Sequence, residues 1–136
     1  MSVVQDLIRK EEDGTISFGN YELNQKSKRS DFECNGDIYK VKTYCEITKL
    51  ERNEMFVYES VPGTAVSHFK ATAEGMEFEV EGSVDAQITV EMEEDTEYTI
   101  EINGESTGTM QTNLGGKLSM SVELEPGKTV AVRIVK

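Results

Sequence analysis

Side chains able to carry chemistry are few and scattered in this chain. His68 is its only histidine, and Cys34 and Cys45 are its only cysteines. Catalytic partners need only meet in space, yet His68 lies between Ser67 and Phe69 with nothing local to mark it as a base. A nucleophile elbow of the GxSxG type is absent, as is any CxxC or Cys/His spacing suited to zinc. The dipeptide Asn35-Gly36 predicts a tight hairpin with Cys34 beside the turn and Cys45 several residues down the chain. The two thiols then lack a cross-strand register, so both are expected to be free.

Carboxylates are plentiful by contrast. Glu91, Glu93, Glu94, Asp95 and Glu97 crowd one strand end and turn, and Glu77, Glu79 and Glu81 line one strand face. A glycosidase pair or a calcium site would be built from such residues, but the EF-hand spacing is missing, and alternating Glu is the usual dress of a solvated strand. Gly115-Gly116 belongs to neither GxGxxG nor a P-loop. With no tryptophan in the sequence, sugar stacking would fall to tyrosines, and Tyr39, Tyr44 and Tyr58 are the candidate ligand-binding residues. No catalytic, cofactor-binding or metal-binding residue is predicted, and no cofactor.

Composition narrows the partners. The 136 residues carry 14 Lys and Arg against 26 Asp and Glu, a net charge of -12. That excess argues against nucleic acid, whose affinity comes largely from cations neutralising phosphates, and against anionic membranes. No apolar run approaches the roughly 20 residues a bilayer span needs. The first ten residues have no continuous apolar stretch of the kind a secretory signal carries. The expected compartment is the cytoplasm. Charge is also uneven: residues 1–70 hold 10 basic and 12 acidic side chains, net -2, whereas residues 71–136 hold 4 and 14, net -10.

The elements that must position these groups are strands. Period-two alternation is clearest in the second half: Met76, Phe78 and Val80; Ile88, Val90 and Met92; Tyr98, Ile100 and Ile102; Leu118, Met120, Val122 and Leu124; Val130, Val132 and Ile134. Together with a short strand near 106–112, these predict an all-β fold, an antiparallel β-sandwich, made of two packed β-units. Asn103-Gly104 is a second hairpin signal, because both central positions must tolerate positive φ. A three-residue loop, Glu125 to Gly127, would pair Val122 with Val130 and Leu118 with Ile134, keeping one face apolar.

The first half is less regular. Val3-Val4 and Leu7-Ile8 fit a short helix or a bulged strand, and Asn24 to Ser30 reads as a polar, basic connection. Strands are expected at 31–34, 38–43, 44–49, 55–60 and 64–71, with Arg52-Asn53-Glu54 turning one hairpin. The boundary between units is placed near Ala71–Gly75, where the charge changes: 1–71 is an irregular N-terminal β-unit and 72–136 an acidic C-terminal sandwich unit.

Four stretches carry a resemblance: Ser17 to Leu23, Asp37 to Thr43, Phe56 to Val66 and Thr112 to Ser119. Through them nearly the whole chain resembles a family of short, uncharacterised proteins of anaerobic Gram-positive bacteria often labelled "endosialidase". The label would imply cleavage of polymeric sialic acid. Sialidases resemble propellers several times this length, with an arginine triad and a Tyr-Glu nucleophile pair. This chain has only Arg9, Arg29, Arg52 and Arg133, and strand alternation sends Tyr58 and Glu59 to opposite faces. The second half is also similar, through Tyr98-x-Ile100-x-Ile102-Asn103-Gly104, to β-sandwich modules appended to bacterial glycosidases. Three functions follow in order: a non-enzymatic β-sandwich acting through its surface, in a complex or as a homo-oligomer; a carbohydrate-binding module using the three tyrosines; and a glycan hydrolase.

Overall fold

The computed structural model describes residues 3–136. It is an all-β sandwich of two antiparallel sheets, with no helix among the described residues. In chain order the strands are β1 (Ile8–Lys10), β2 (Ile16–Phe18), β3 (Ser27–Cys34), β4 (Asp37–Tyr44), β5 (Ile47–Arg52) and β6 (Met55–Val61). There follow β7 (Ala65–Thr72), β8 (Gly75–Glu81), β9 (Ala86–Glu91), β10 (Glu97–Ile102), β11 (Glu105–Gln111), β12 (Lys117–Val122) and β13 (Val130–Val135). One sheet runs β1-β2-β7-β8-β13-β10-β11 and the other β12-β9-β6-β5-β4-β3.

Alternation does in the structure what it predicts in sequence. In β8, Met76, Phe78 and Val80 are buried while Glu77 and Glu79 are exposed; in β12, Leu118, Met120 and Val122 are buried between exposed neighbours. The inner faces merge into one core. Its centre is aromatic: Tyr58 from the six-stranded sheet inserts among Phe18, Phe69 and Phe78 of the other, edge-on to Phe18 at 5.3 Å and to Phe78 at 5.6 Å. Such pairs add to the area they bury.

A buried chain of hydroxyls closes one end of this core. The Asn20 N–H donates to Thr43 Oγ1 at 2.9 Å, and the Thr64 N–H donates to Thr48 Oγ1 at 3.0 Å. Thr48 spends its own proton on the Thr64 carbonyl, 2.8 Å away. A hydroxyl has one proton, so in the 2.8 Å bond between Thr43 and Thr48 the donor must be Thr43. Tyr58 and Ser60 meet Thr64 Oγ1 at 2.9 and 2.8 Å. The Gly63 N–H donates to the Cys45 carbonyl at 3.1 Å, and a Cβ at Gly63 would run into the Tyr44 carbonyl oxygen.

Both Asn-Gly turns are two-residue hairpin loops. Cys34 pairs with Asp37 across Asn35 (φ 53°) and Gly36 (φ 86°), and Ile102 pairs with Glu105 across Asn103 (φ 52°) and Gly104 (φ 84°). Both thiols are free: Cys34 is buried at one end of β4's length and Cys45 exposed past the other. At strand rise that separates them by roughly 25 Å.

Several expectations are corrected. The segment around Leu7 is a turn leading into a three-residue strand, not a helix; Leu7 itself has φ 73°. Ser27 to Ser30 is no connection: Ser27 and Lys28 pair with Thr43 and Lys42. As an edge strand, β3 is exposed along most of its length, so it carries no alternation to read. Residues 44–49 are not one strand, because Cys45-Glu46 turn β4 into β5. The Glu125–Gly127 hairpin does not form. β12 pairs with β9 and β13 with β8 and β10, so the chain crosses from one sheet to the other there. An arch between sheets aims both apolar faces at the same core, as a hairpin would, and alternation cannot separate the two. At residues 72–75 the chain makes the β7–β8 hairpin turn, and both sheets take strands from either side of it.

Two outcomes follow. Thr48→Val should cost about 2–3 kcal/mol in urea unfolding, since it orphans buried donors and acceptors, whereas Ser119→Ala, at an exposed hydroxyl pair with Thr89, should stay within about 0.5 kcal/mol. The second concerns Tyr21, whose hydroxyl donates to Glu81 at 2.8 Å and whose phenol is pushed from 10.0 up to about 12, first by burial and then by Glu81. The folded state holds that proton more tightly. Stability is therefore fully present below pH 10 and falls as pH rises towards 12. Urea midpoints across this window should drop less in Tyr21→Phe.

Candidate functional site

The end of the sandwich opposite the hydroxyl chain is open. Two adjoining hollows lie between the sheets, of about 540 Å³ and about 460 Å³. They share Arg52, Ala71 and Thr72, so together they form one trough with Arg52 at its middle. The larger arm runs past Phe56, Gly75, Glu91 and Tyr98; the smaller runs past Asp13, Asn35, Tyr39, His68 and Lys70.

Turns are laced together around this mouth. Asn53 accepts from the Ile38 N–H at 3.0 Å and donates to Asp37 Oδ1 at 2.9 Å, and its own N–H reaches the Ile38 carbonyl at 2.7 Å. The β5–β6 turn is thereby fixed to the start of β4, which holds Arg52 in place. Asn35 donates to the Gly14 carbonyl at 2.9 Å, bridging the two sheets across the smaller arm.

His68 enters the trough from a bulge. The β7–β8 register shifts between Ser67 and Lys70, and His68 has φ 52°, uncommon for a residue with a Cβ. Its backbone N–H donates to Ser17 Oγ at 3.2 Å, and the Ser17 hydroxyl in turn bonds Glu11, whose carboxylate also takes Arg9 Nε at 3.0 Å. The Ser17 hydroxyl, the largest influence, and Arg9 together hold the Glu11 carboxyl below its usual range, against the opposing effect of burial. Ser17 itself is wholly buried.

The His68 ring lies beside an acid. Nδ1 is 3.3 Å from Asp13 Oδ2 and 3.3 Å from Thr15 Oγ1, and the Thr15 hydroxyl donates to Asp13 Oδ1 at 2.5 Å. With that proton spent, Thr15 accepts from Nδ1–H, which places the imidazole proton on Nδ1. The Thr15 hydroxyl and backbone N–H, with His68 behind them, keep the Asp13 carboxyl below its usual range. A hydrolytic triad puts the acid on Nδ1 and the nucleophile on Nε2. Here acid and hydroxyl share Nδ1, and Ser17 contacts only the backbone of His68.

The three candidate tyrosines do not converge. Tyr39 lines the smaller arm but is 8% exposed, with burial pushing its phenol up and Arg52 pulling it down. Tyr58 is fully buried in the aromatic centre, its hydroxyl on Thr64. Tyr44 sits at the far end of β4, half-buried, with Lys26 Nζ 5.9 Å above its ring. Of the glutamates read as one solvated face, Glu81 is buried under Tyr21. Among the described residues no group of three His, Cys, Asp or Glu is placed to hold a metal ion. Sequence reasoning missed Asp13, Thr15 and Arg52 as neighbours of one cavity. Only the positive φ at His68, invisible in sequence, marks the spot.

Fold and site together define an all-β sandwich with an open end-trough. No family model matches the sequence, and no curated protein or solved structure matches it either.

Thr15→Val should raise the Asp13 pKa towards the ordinary carboxylate value, read by carboxyl carbon NMR titration. Asp13 contributes stability above its ordinary value and loses it as pH falls through the folded-state value; in the variant the two values draw together, so that loss should shrink.

Proposed function

We propose that this chain is a non-enzymatic β-sandwich protein that works by binding through its surface, in a complex or an assembly, in the cytoplasm. The observation that supports the reading is the trough. It is a concave site framed by bonded turns, and its His68, Asp13 and Thr15 side chains are bonded to one another rather than aimed at a place where a reacting atom could sit. His68, Asp13 and Thr15 satisfy each other, and Ser17 is sealed beneath them. Free thiols agree with a reducing compartment.

A carbohydrate ligand is the second reading, favoured by the make-up of the smaller arm. Asp13, Asp37 and Glu77 face Arg52, Lys70 and His68 there, beside Tyr39. Planar polar groups of both signs suit hydroxyl-rich ligands.

The test is to titrate isotope-labelled protein with neutral and sialylated oligosaccharides and follow amide shifts, while chromatography tracks saccharide length. Shifts confined to the trough, weakened in Arg52→Ala, with saccharide length unchanged, are the expected result. Cleavage of polysialic acid that disappears in Arg52→Ala would overturn the non-enzymatic reading. Shifts that avoid the trough would remove the carbohydrate one.

A further inference from the structure

The outer face of the six-stranded sheet carries like charges in register. Lys28 of β3 lies opposite Lys42 of β4, and Lys42 lies opposite Lys49 of β5. Lys40 stands on the same face, since Tyr39, Val41 and Thr43 are the residues of β4 that turn inward. Strands are about 4.8 Å apart, so the three lysines span roughly 10 Å in a straight row.

Such a row opposes stability, because like charges directly opposite on neighbouring strands repel. Compensation is partial. Glu51 pairs with Lys49 at 3.6 Å and faces Lys40, and Glu59 faces Lys49. Among the described residues no carboxylate lies within ion-pair distance of Lys28 or Lys42. With Lys26 over Tyr44, five of the chain's 14 cations gather on one face of a protein whose net charge is -12. Local rules are broken in this way where binding asks for it.

We propose that this face docks an acidic, extended segment of a partner polypeptide, laid along β4. Carboxylates at alternate positions of an extended chain recur about every 6.6 Å, the spacing of Lys40 and Lys42 along their own strand. Beyond the lysine row the face turns apolar, with Tyr44 opposite Ile47 and Val61 52% exposed, so an apolar residue following the acidic run has a seat. A nucleic acid fits the same face less well. Its affinity grows with the number of phosphates neutralised, the footprint offers only a few cations, and the remaining surface is strongly negative. The face is separate from the trough, so either can fail without the other.

The experiment measures binding of a labelled short peptide alternating Glu and Ser, its Gln counterpart, and an oligonucleotide and a sulfated oligosaccharide of equal charge. Wild-type protein should bind the Glu peptide, more weakly as salt rises, and should prefer it over the other three. Lys42→Thr keeps a strand-favouring side chain. It should weaken binding several-fold while leaving the thermal midpoint unchanged or higher, a pairing that loss of fold cannot produce. Lys28→Thr, on the edge strand, should act in the same direction. Absence of Glu-peptide binding, binding indifferent to both substitutions, or equal binding of the oligonucleotide or sulfated sugar would overturn the proposal.

Discussion

The buried hydroxyl chain from Asn20 through Thr43 and Thr48 to Thr64 is the constraint on which the rest of the sandwich depends. Two sheets packed through apolar side chains alone would be free to slide, since the hydrophobic effect has no direction. Hydrogen bonds with assigned donors have one solution. This chain joins the loop after β2, the β4–β5 hairpin and the loop after β6, elements contributed to both sheets. It also places the Tyr58 ring, held at its hydroxyl by Thr64, among the phenyl rings of the opposite sheet. Burying so many polar atoms would be costly if any were unmatched. Among the described residues no buried side-chain nitrogen or oxygen lacks a partner.

The two ends of the sandwich are built differently. Where the threonines draw the backbones close, small side chains fill the gap; where Arg52, Tyr39 and Tyr98 stand, the sheets leave a trough. That mouth is lined by core residues such as Val57, Met76 and Phe69 together with turn residues such as Asp13 and Asn53. Its polar groups are organised by asparagines, Asn35 and Asn53, both in turns and both at positive φ. Turn chemistry and site construction are thus one and the same at this end.

What the sequence disclosed follows from what alternation encodes. Period two says which residues face the core, and it located β8, β9, β10, β12 and β13 because each has a clean inner face. It is silent on which sheet a strand joins. Val122 and Val130 face one core from opposite sheets, and nothing in their pattern distinguishes that from a hairpin. Edge strands exposed on both faces, as β3 and β11 are, carry no such pattern and are legible only when turns announce them: Asn35-Gly36 and Asn103-Gly104 marked one end each, while the basic residues of β3 concealed the remainder. The trough was illegible because strand ends and turns far apart in sequence make it. Asp13 and His68 are 55 positions apart, and Tyr58, attractive as a surface aromatic, is wholly buried.

The crossover between β12 and β13 also bears on how the chain assembles. β13 is the last strand in sequence, yet it lies inside the seven-stranded sheet with β8 on one side and β10 on the other. Until it arrives, the flank formed by β1, β2, β7 and β8 has no hydrogen-bonded link to the β10–β11 hairpin. Each flank would present an open edge and an incomplete inner face, and the pairings that β13 brings are long-range in sequence, the kind that form slowly. During synthesis on the ribosome the sheet is therefore a gap waiting for its keystone, and the interval before that strand emerges is when this protein is most exposed to pairing with the wrong neighbour.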